Sequence, residues 1–87
     1  MIKLIDFYAD WCGPCKMMGP VFEELKKDFE GKIKFESVNV DENVDTATKY
    51  QVMSVPTLVL ERDGTEVERK VGAMPKGTIE SWLNSYL

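Results

Sequence analysis

The stretch Trp11-Cys12-Gly13-Pro14-Cys15 decides how the rest of the chain is read. It holds the only two cysteines of an 87-residue sequence, separated by Gly13 and Pro14. Upstream lies an apolar, strand-like run, Ile2-Lys3-Leu4-Ile5-Asp6-Phe7-Tyr8, and downstream the apolar residues recur with helical spacing. A Cys-x-x-Cys between a strand and a helix reads as a redox dithiol. Pro14 presets φ for a first helical turn and gives up an N–H that has no partner there. Gly13 lets the backbone turn tightly and leaves no side chain in front of the sulfur. Cys12 then sits at the helix N-terminus, where free N–H groups and the macrodipole favour a thiolate. Cys15 lies about one turn further in, turned toward the body of the protein. Cys12 is the candidate nucleophile and Cys15 the candidate resolving thiol.

Two structural readings compete. A purely structural disulfide closing so short a loop would remove little entropy from the unfolded chain. Half of a zinc site would need four ligands in total. The sequence has no His and no further Cys, so a second subunit would have to complete it.

Eighty-seven residues make a single domain, 1–87, large enough to fold without metal or disulfide staples. The chain is 44% hydrophobic and 30% charged, as a globular protein is. A formal charge of -4 argues against general binding to nucleic acid or anionic membranes. No apolar run approaches the ~20 residues that span a bilayer. No basic segment with an apolar run and cleavage site precedes the first strand. The expected location is the cytoplasm, where thiols stay reduced and a Cys-x-x-Cys is catalytic rather than structural.

Residues 2–8 read as a buried central strand. Asp6 is the anomaly in it. Either it faces water at the strand's end, or it is buried at a cost unless paired or protonated. Residues 14–30 read as a helix with Met18, Phe22, Leu25 and Phe29 on one stripe. Gly31 is expected at C′, and Pro20 should kink the helix. Met17 and Met18 read as ordinary packing residues rather than a metal site. Residues 32–40 read as a second strand, with Ile33 and Phe35 facing one way and Val38 and Val40 the other. Asn43 or Asp41 can cap a short helix bearing Val44, Ala47 and Tyr50. A third strand follows Pro56 and a fourth covers 66–71, joined at Asp63-Gly64, a strong hairpin signal. The fourth strand is heavily charged, as suits a sheet edge. Gly72-Ala73 reads either as a plain turn or as a place for close approach by a partner. Ile79, Trp82, Leu83 and Tyr86 form one face of a last helix, which makes Trp82 a core residue. The expected architecture is α/β: a four-stranded mixed sheet in the order β-α-β-α-β-β-α, with helices on both faces.

Trp11-Cys12-Gly13-Pro14-Cys15-Lys16 resembles the active-site motif of the thioredoxin family. The resemblance continues through Asp6-Phe7-Tyr8-Ala9, Val38-Asn39-Val40-Asp41, Tyr50-Gln51-Val52, Val55-Pro56-Thr57-Leu58 and Val71-Gly72-Ala73. It covers nearly the whole chain, in the family's order. The family usually carries a further strand and helix in front, so the resemblance implies a minimal form of its fold. The strand at 32–40 would then be a sheet edge, with thinner cover over part of one face, and the protein a monomer.

The resemblance implies a thiol–disulfide oxidoreductase that reduces protein disulfides, takes electrons from a thioredoxin reductase and needs no cofactor or metal beyond the Cys12–Cys15 pair. It implies that Asp6 is buried behind Cys15 and takes its proton. It implies a cis peptide at Pro56, leaving the backbone of Val55 free to pair with an extended substrate. Trp11, Gly13, Pro14, Val55, Pro56, Gly72 and Ala73 would form the docking surface. Lys16 reads as a solvated surface lysine. Three departures stand out: Tyr8 where the family often has Trp, Ser37 where many members have Lys near the buried Asp, and Met53-Ser54 where Gly or Arg is common. The alternatives are a glutaredoxin-like enzyme using glutathione, disfavoured by Gly13-Pro14, and a non-enzymatic binding subunit.

Overall fold

Strand β1 (Ile2–Tyr8) is central because both of its faces are apolar enough to be covered. The computed structural model describes Met1–Leu87 and pairs β1 in parallel with β2 (Ile33–Asn39) and antiparallel with β3 (Thr57–Arg62). Strand β4 (Thr65–Val71) pairs antiparallel with β3, giving the order β2-β1-β3-β4. The helices are α1 (Gly13–Asp28), α2 (Val44–Lys49) and α3 (Lys76–Asn84). This is the expected β-α-β-α-β-β-α order, with β2 and β4 at the edges.

The sheet's first face carries the main core. Ile2, Leu4, Ile33, Leu58 and Leu60 meet Met18, Phe22 and Leu25 of α1 and Ile79, Trp82 and Leu83 of α3. Each fully buried large side chain of this kind contributes about 1.5–3 kcal/mol. The second face carries Ile5, Phe7, Val38 and Val59, covered by Val40, Tyr50 and Val52. The change of face along β2 is therefore real: Ile33 and Phe35 join the first core, Val38 and Val40 the second.

By strand alternation, Lys3 lies on the second face with Ile5, and Glu61 with Val59. Here ion pairs and hydrogen bonds replace apolar cover. Lys3 Nζ is 2.5 Å from Glu36. Tyr50 donates its hydroxyl to the buried Glu61 carboxylate at 2.6 Å. Arg69 pairs with Glu66 at 2.7 Å and donates to the Tyr50 carbonyl at 2.7 Å.

The hairpin at Asp63-Gly64 takes φ values of 52° and 85°, the left-handed pair that a two-residue type I′ turn requires. Several details differ from the sequence expectation. Helix α1 ends at Asp28 and Phe29 is its C-cap, so Gly31 (φ 81°) belongs to the following turn rather than to C′. Helix α1 runs on through Pro20 as one element. Met17 is exposed, while Met18 is in the core. Asn43 occupies the N-cap position of α2, but its side chain caps nothing there. It donates instead to the Asn39 carbonyl, and Asn39 Oδ1 accepts from the N–H groups of Asp41 and Glu42. Val44 points to solvent, because a helix of six residues has too few turns to bury a stripe.

Candidate active site

The turn from β1 into α1 positions the dithiol. The Cys12 N–H donates to the Ala9 carbonyl at 3.2 Å, and the Cys12 carbonyl accepts from Lys16 at 3.3 Å. Cys12 is the N-cap of α1, with extended backbone (φ -87°, ψ 112°). Its sulfur accepts the N–H of Cys15 at 3.2 Å, as a capping oxygen would. No acidic residue stands in the first turn to offset the positive end of the helix. Cys12 and Cys15 form a disulfide, with Cα atoms 5.2 Å apart.

Exposure does not separate the two cysteines in this state. The helix-end position suggests a surface Cys12, yet it is 4% exposed and Cys15 is 7% exposed. The Val55 carbonyl oxygen lies 3.7 Å from Cys12 Sγ, and Tyr8, Val40 and Val55 pack around the pair. What separates them is what they face. Cys12 abuts the loop before β3, whereas Cys15 borders a cavity beneath α1.

That cavity, about 470 Å³, is also bordered by Asp6 and Ser37 from the sheet and by Lys16 and Gly19 from the helix. Asp6 is only 5% exposed, and its Oδ1 has no hydrogen-bond partner. Burial raises its pKa from 3.8 to about 6. The water-facing alternative for Asp6 is therefore excluded.

The surface around Cys12 is assembled from three loops. Val55-Pro56 is cis. Neither the N–H nor the carbonyl of Val55 has a backbone partner, while the Pro56 carbonyl accepts from Gly72 at 2.8 Å. Gly72 has a φ of 98°, which a side chain would disfavour. Pro56 itself is buried, so it shapes this groove more than it lines it. Gly13, Pro14 and Ala73 are exposed and Gly72 is half-buried. Trp11 is 70% exposed, held by donation from Nε1 to Asp41 Oδ2 at 2.8 Å. A small cavity of about 120 Å³ lies between Trp11, Val40 and the segment Val52–Val55. Ala73 borders a methionine-rich groove with Met17, Met18 and Met74.

In the sequence Asp41 reads as a possible helix cap and as the end of the family motif Val38-Asn39-Val40-Asp41, and its link to Trp11 has no local signal. Met53, 94% exposed beside Trp11, stands out there only as a departure from the family pattern.

A family profile described as Thioredoxin matches residues 1–85. The chain belongs to the thioredoxin family. It is 50% identical over 86 residues to the thioredoxins of Staphylococcus aureus strains N315 and USA300, covering 99% of this chain and 83% of theirs. The solved structure of a single-site mutant of thioredoxin from Halobacterium salinarum NRC-1 superposes with a TM-score of 0.90 at 44% identity. That match covers 98% of this chain and 74% of the other. The thioredoxin reading holds: this is a thiol–disulfide oxidoreductase with a redox-active Cys12–Cys15 disulfide, and it reduces protein disulfides. No helix is long and apolar enough to cross a membrane.

Proposed function

We propose that residues 1–87 work as one reductase domain in which Cys12 attacks, Cys15 resolves and Asp6 manages the proton. The Cys12 thiolate attacks one sulfur of a substrate disulfide, forms a mixed disulfide and expels the other sulfur as a thiolate that takes up a proton. Cys15 gives its proton to the Asp6 carboxylate, and its thiolate attacks Cys12. The Cys12–Cys15 disulfide forms, and the second substrate sulfur leaves and is protonated. Two electrons pass from the dithiol to the substrate. A thioredoxin reductase returns two electrons and the cycle repeats.

The observation that carries this reading is the shared cavity of Cys15 and Asp6, together with the Cys15 N–H directed at Cys12 Sγ. A carboxyl with a pKa of about 6 is largely ionised at neutral pH, and so is available as a base. Trp11, Gly13, Pro14, Val55, Gly72 and Ala73 form the docking surface, and the buried Pro56 shapes it from beneath. An extended substrate segment pairs with the free backbone groups of Val55 as an added strand. The protein acts as a monomer in the cytoplasm, and Lys32, Lys34 and Glu36 place charge along the β2 side of the sheet, which discourages edge-to-edge pairing.

The test is turnover of insulin disulfides with a thioredoxin reductase as donor. Rapid turnover that is lost in Cys12→Ser supports the assignment. Turnover with glutathione alone at the same rate, or activity that survives loss of both cysteines, contradicts it.

A further inference from the structure

Between α1 and the sheet, two adjacent layers are packed in opposite ways. In the deeper layer, the register partners Leu4 and Phe35 meet Phe22, whose ring centroid is 5.2 Å from that of Phe35. In the layer nearer Cys15 the register partners are Asp6 and Ser37, and the helix offers Gly19. Small side chains at these three positions leave the cavity of about 470 Å³ open. Asp6, 5% exposed and without a partner for Oδ1, borders it.

We propose that this cavity is a binding site for a small primary ammonium ion, which pairs with the Asp6 carboxylate. Asp10 and Glu23 on the rim bring two further carboxylates against the single ammonium of Lys16, and Tyr8 is the only other ionisable neighbour besides Cys15. Such a rim concentrates cations. A metal ion is the poorer fit. No three His, Cys, Asp or Glu side chains converge as metal ligands would. Hard cations need many oxygens, whereas an ammonium can turn its three donors toward whatever acceptors are near. Ala9 and Phe22 supply an apolar wall for a short alkyl chain. A bound cation favours the ionised carboxylate, so occupancy couples to the protonation of Asp6. Binding is independent of the roles given to the cysteines, and the disulfide form of the full chain tests it without turnover.

The experiment is a titration of the oxidised protein with ethylammonium chloride, followed by NMR at the Asp6 carboxyl and the Ser37 amide. Sodium chloride and tetramethylammonium chloride at equal ionic strength are the controls. A ligand of so few heavy atoms can reach an affinity on the order of millimolar. The expected result is a saturable shift in that range with ethylammonium alone. At saturation the Asp6 midpoint falls by about one unit, a tenfold change in its acid constant. Ser37→Lys, on an exposed strand position beside Asp6, supplies a tethered ammonium. It should weaken the added ligand about tenfold and lower the Asp6 midpoint by itself. Gly19→Leu should abolish the response by filling the space, since a Cβ at Gly19 meets nothing within 4 Å. A response that matches sodium chloride, or one left undiminished in both variants, overturns the proposal.

Discussion

The backbone N–H of Cys15 donates to the sulfur of Cys12 at 3.2 Å, so the second cysteine's own peptide group caps the first. When the disulfide is reduced, the same donor and the open end of α1 favour charge on Cys12. Nothing comparable is offered to Cys15, which borders the Asp6 carboxylate across a cavity. Iodoacetamide at mildly acidic pH should therefore modify Cys12 first, as read by peptide mass mapping. Equal labelling of the two thiols would mean that the helix end does not set their acidity.

Asp6 should make stability depend on pH. Its pKa is raised from 3.8 to about 6, so the folded state keeps a proton that the unfolded state has lost. The group's contribution is at its best below about pH 4 and is lost as pH rises through about 6. The shift is worth roughly 3 kcal/mol. Asp6→Asn should stabilise the protein by up to about that amount at pH 7, and the gain should vanish near pH 4. Urea unfolding across this range measures it. The same variant should slow the resolving step more than the first attack. Equal stability of both proteins at pH 7 would show that Asp6 is not burdened by burial.

Trp11 is oriented by Asp41 rather than by packing, since the ring is 70% exposed. Asp41→Ala should raise KM for a protein substrate about twofold to fivefold with kcat little changed, the effect of losing one exposed hydrogen bond. The fluorescence anisotropy of Trp11 should fall in parallel. A loss confined to kcat would place Asp41 in the chemistry instead.

On the opposite face, the Tyr50–Glu61 bond pushes the Tyr50 phenol up to about 12. Glu61→Gln should bring it back toward its ordinary value of 10, seen by ultraviolet titration. Tyr50→Phe strands a buried carboxylate and should cost about 1–3 kcal/mol in chemical denaturation.

The frame of the molecule was legible because its signals are local. The alternation in β1, the Asp63-Gly64 turn and the stripe Met18-Phe22-Leu25 each lie within one element and obey its period. Even the change of face in β2 showed in the spacing of Ile33, Phe35, Val38 and Val40. What sequence did not show depends on residues far apart in the chain. The burial of Asp6 follows from what α1 lays over it, and a carboxylate in an apolar strand reads equally well as the strand's wet end. The open cavity needs Asp6, Gly19 and Ser37 to be small together. The shielding of Cys12 comes from Val55, and the hold on Trp11 from Asp41. Val44 is exposed because a helix of six residues is too short to define a buried stripe.

Trapping the mixed disulfide tests the division of labour between the two cysteines most directly. Cys15→Ser, incubated with a disulfide-bonded protein substrate, should attack but fail to resolve. It should accumulate a covalent adduct joined through Cys12, seen by non-reducing electrophoresis and located by mass spectrometry. Cys12→Ser should form none. An adduct that builds up through Cys15 in Cys12→Ser, or normal turnover by Cys15→Ser, would contradict the assignment.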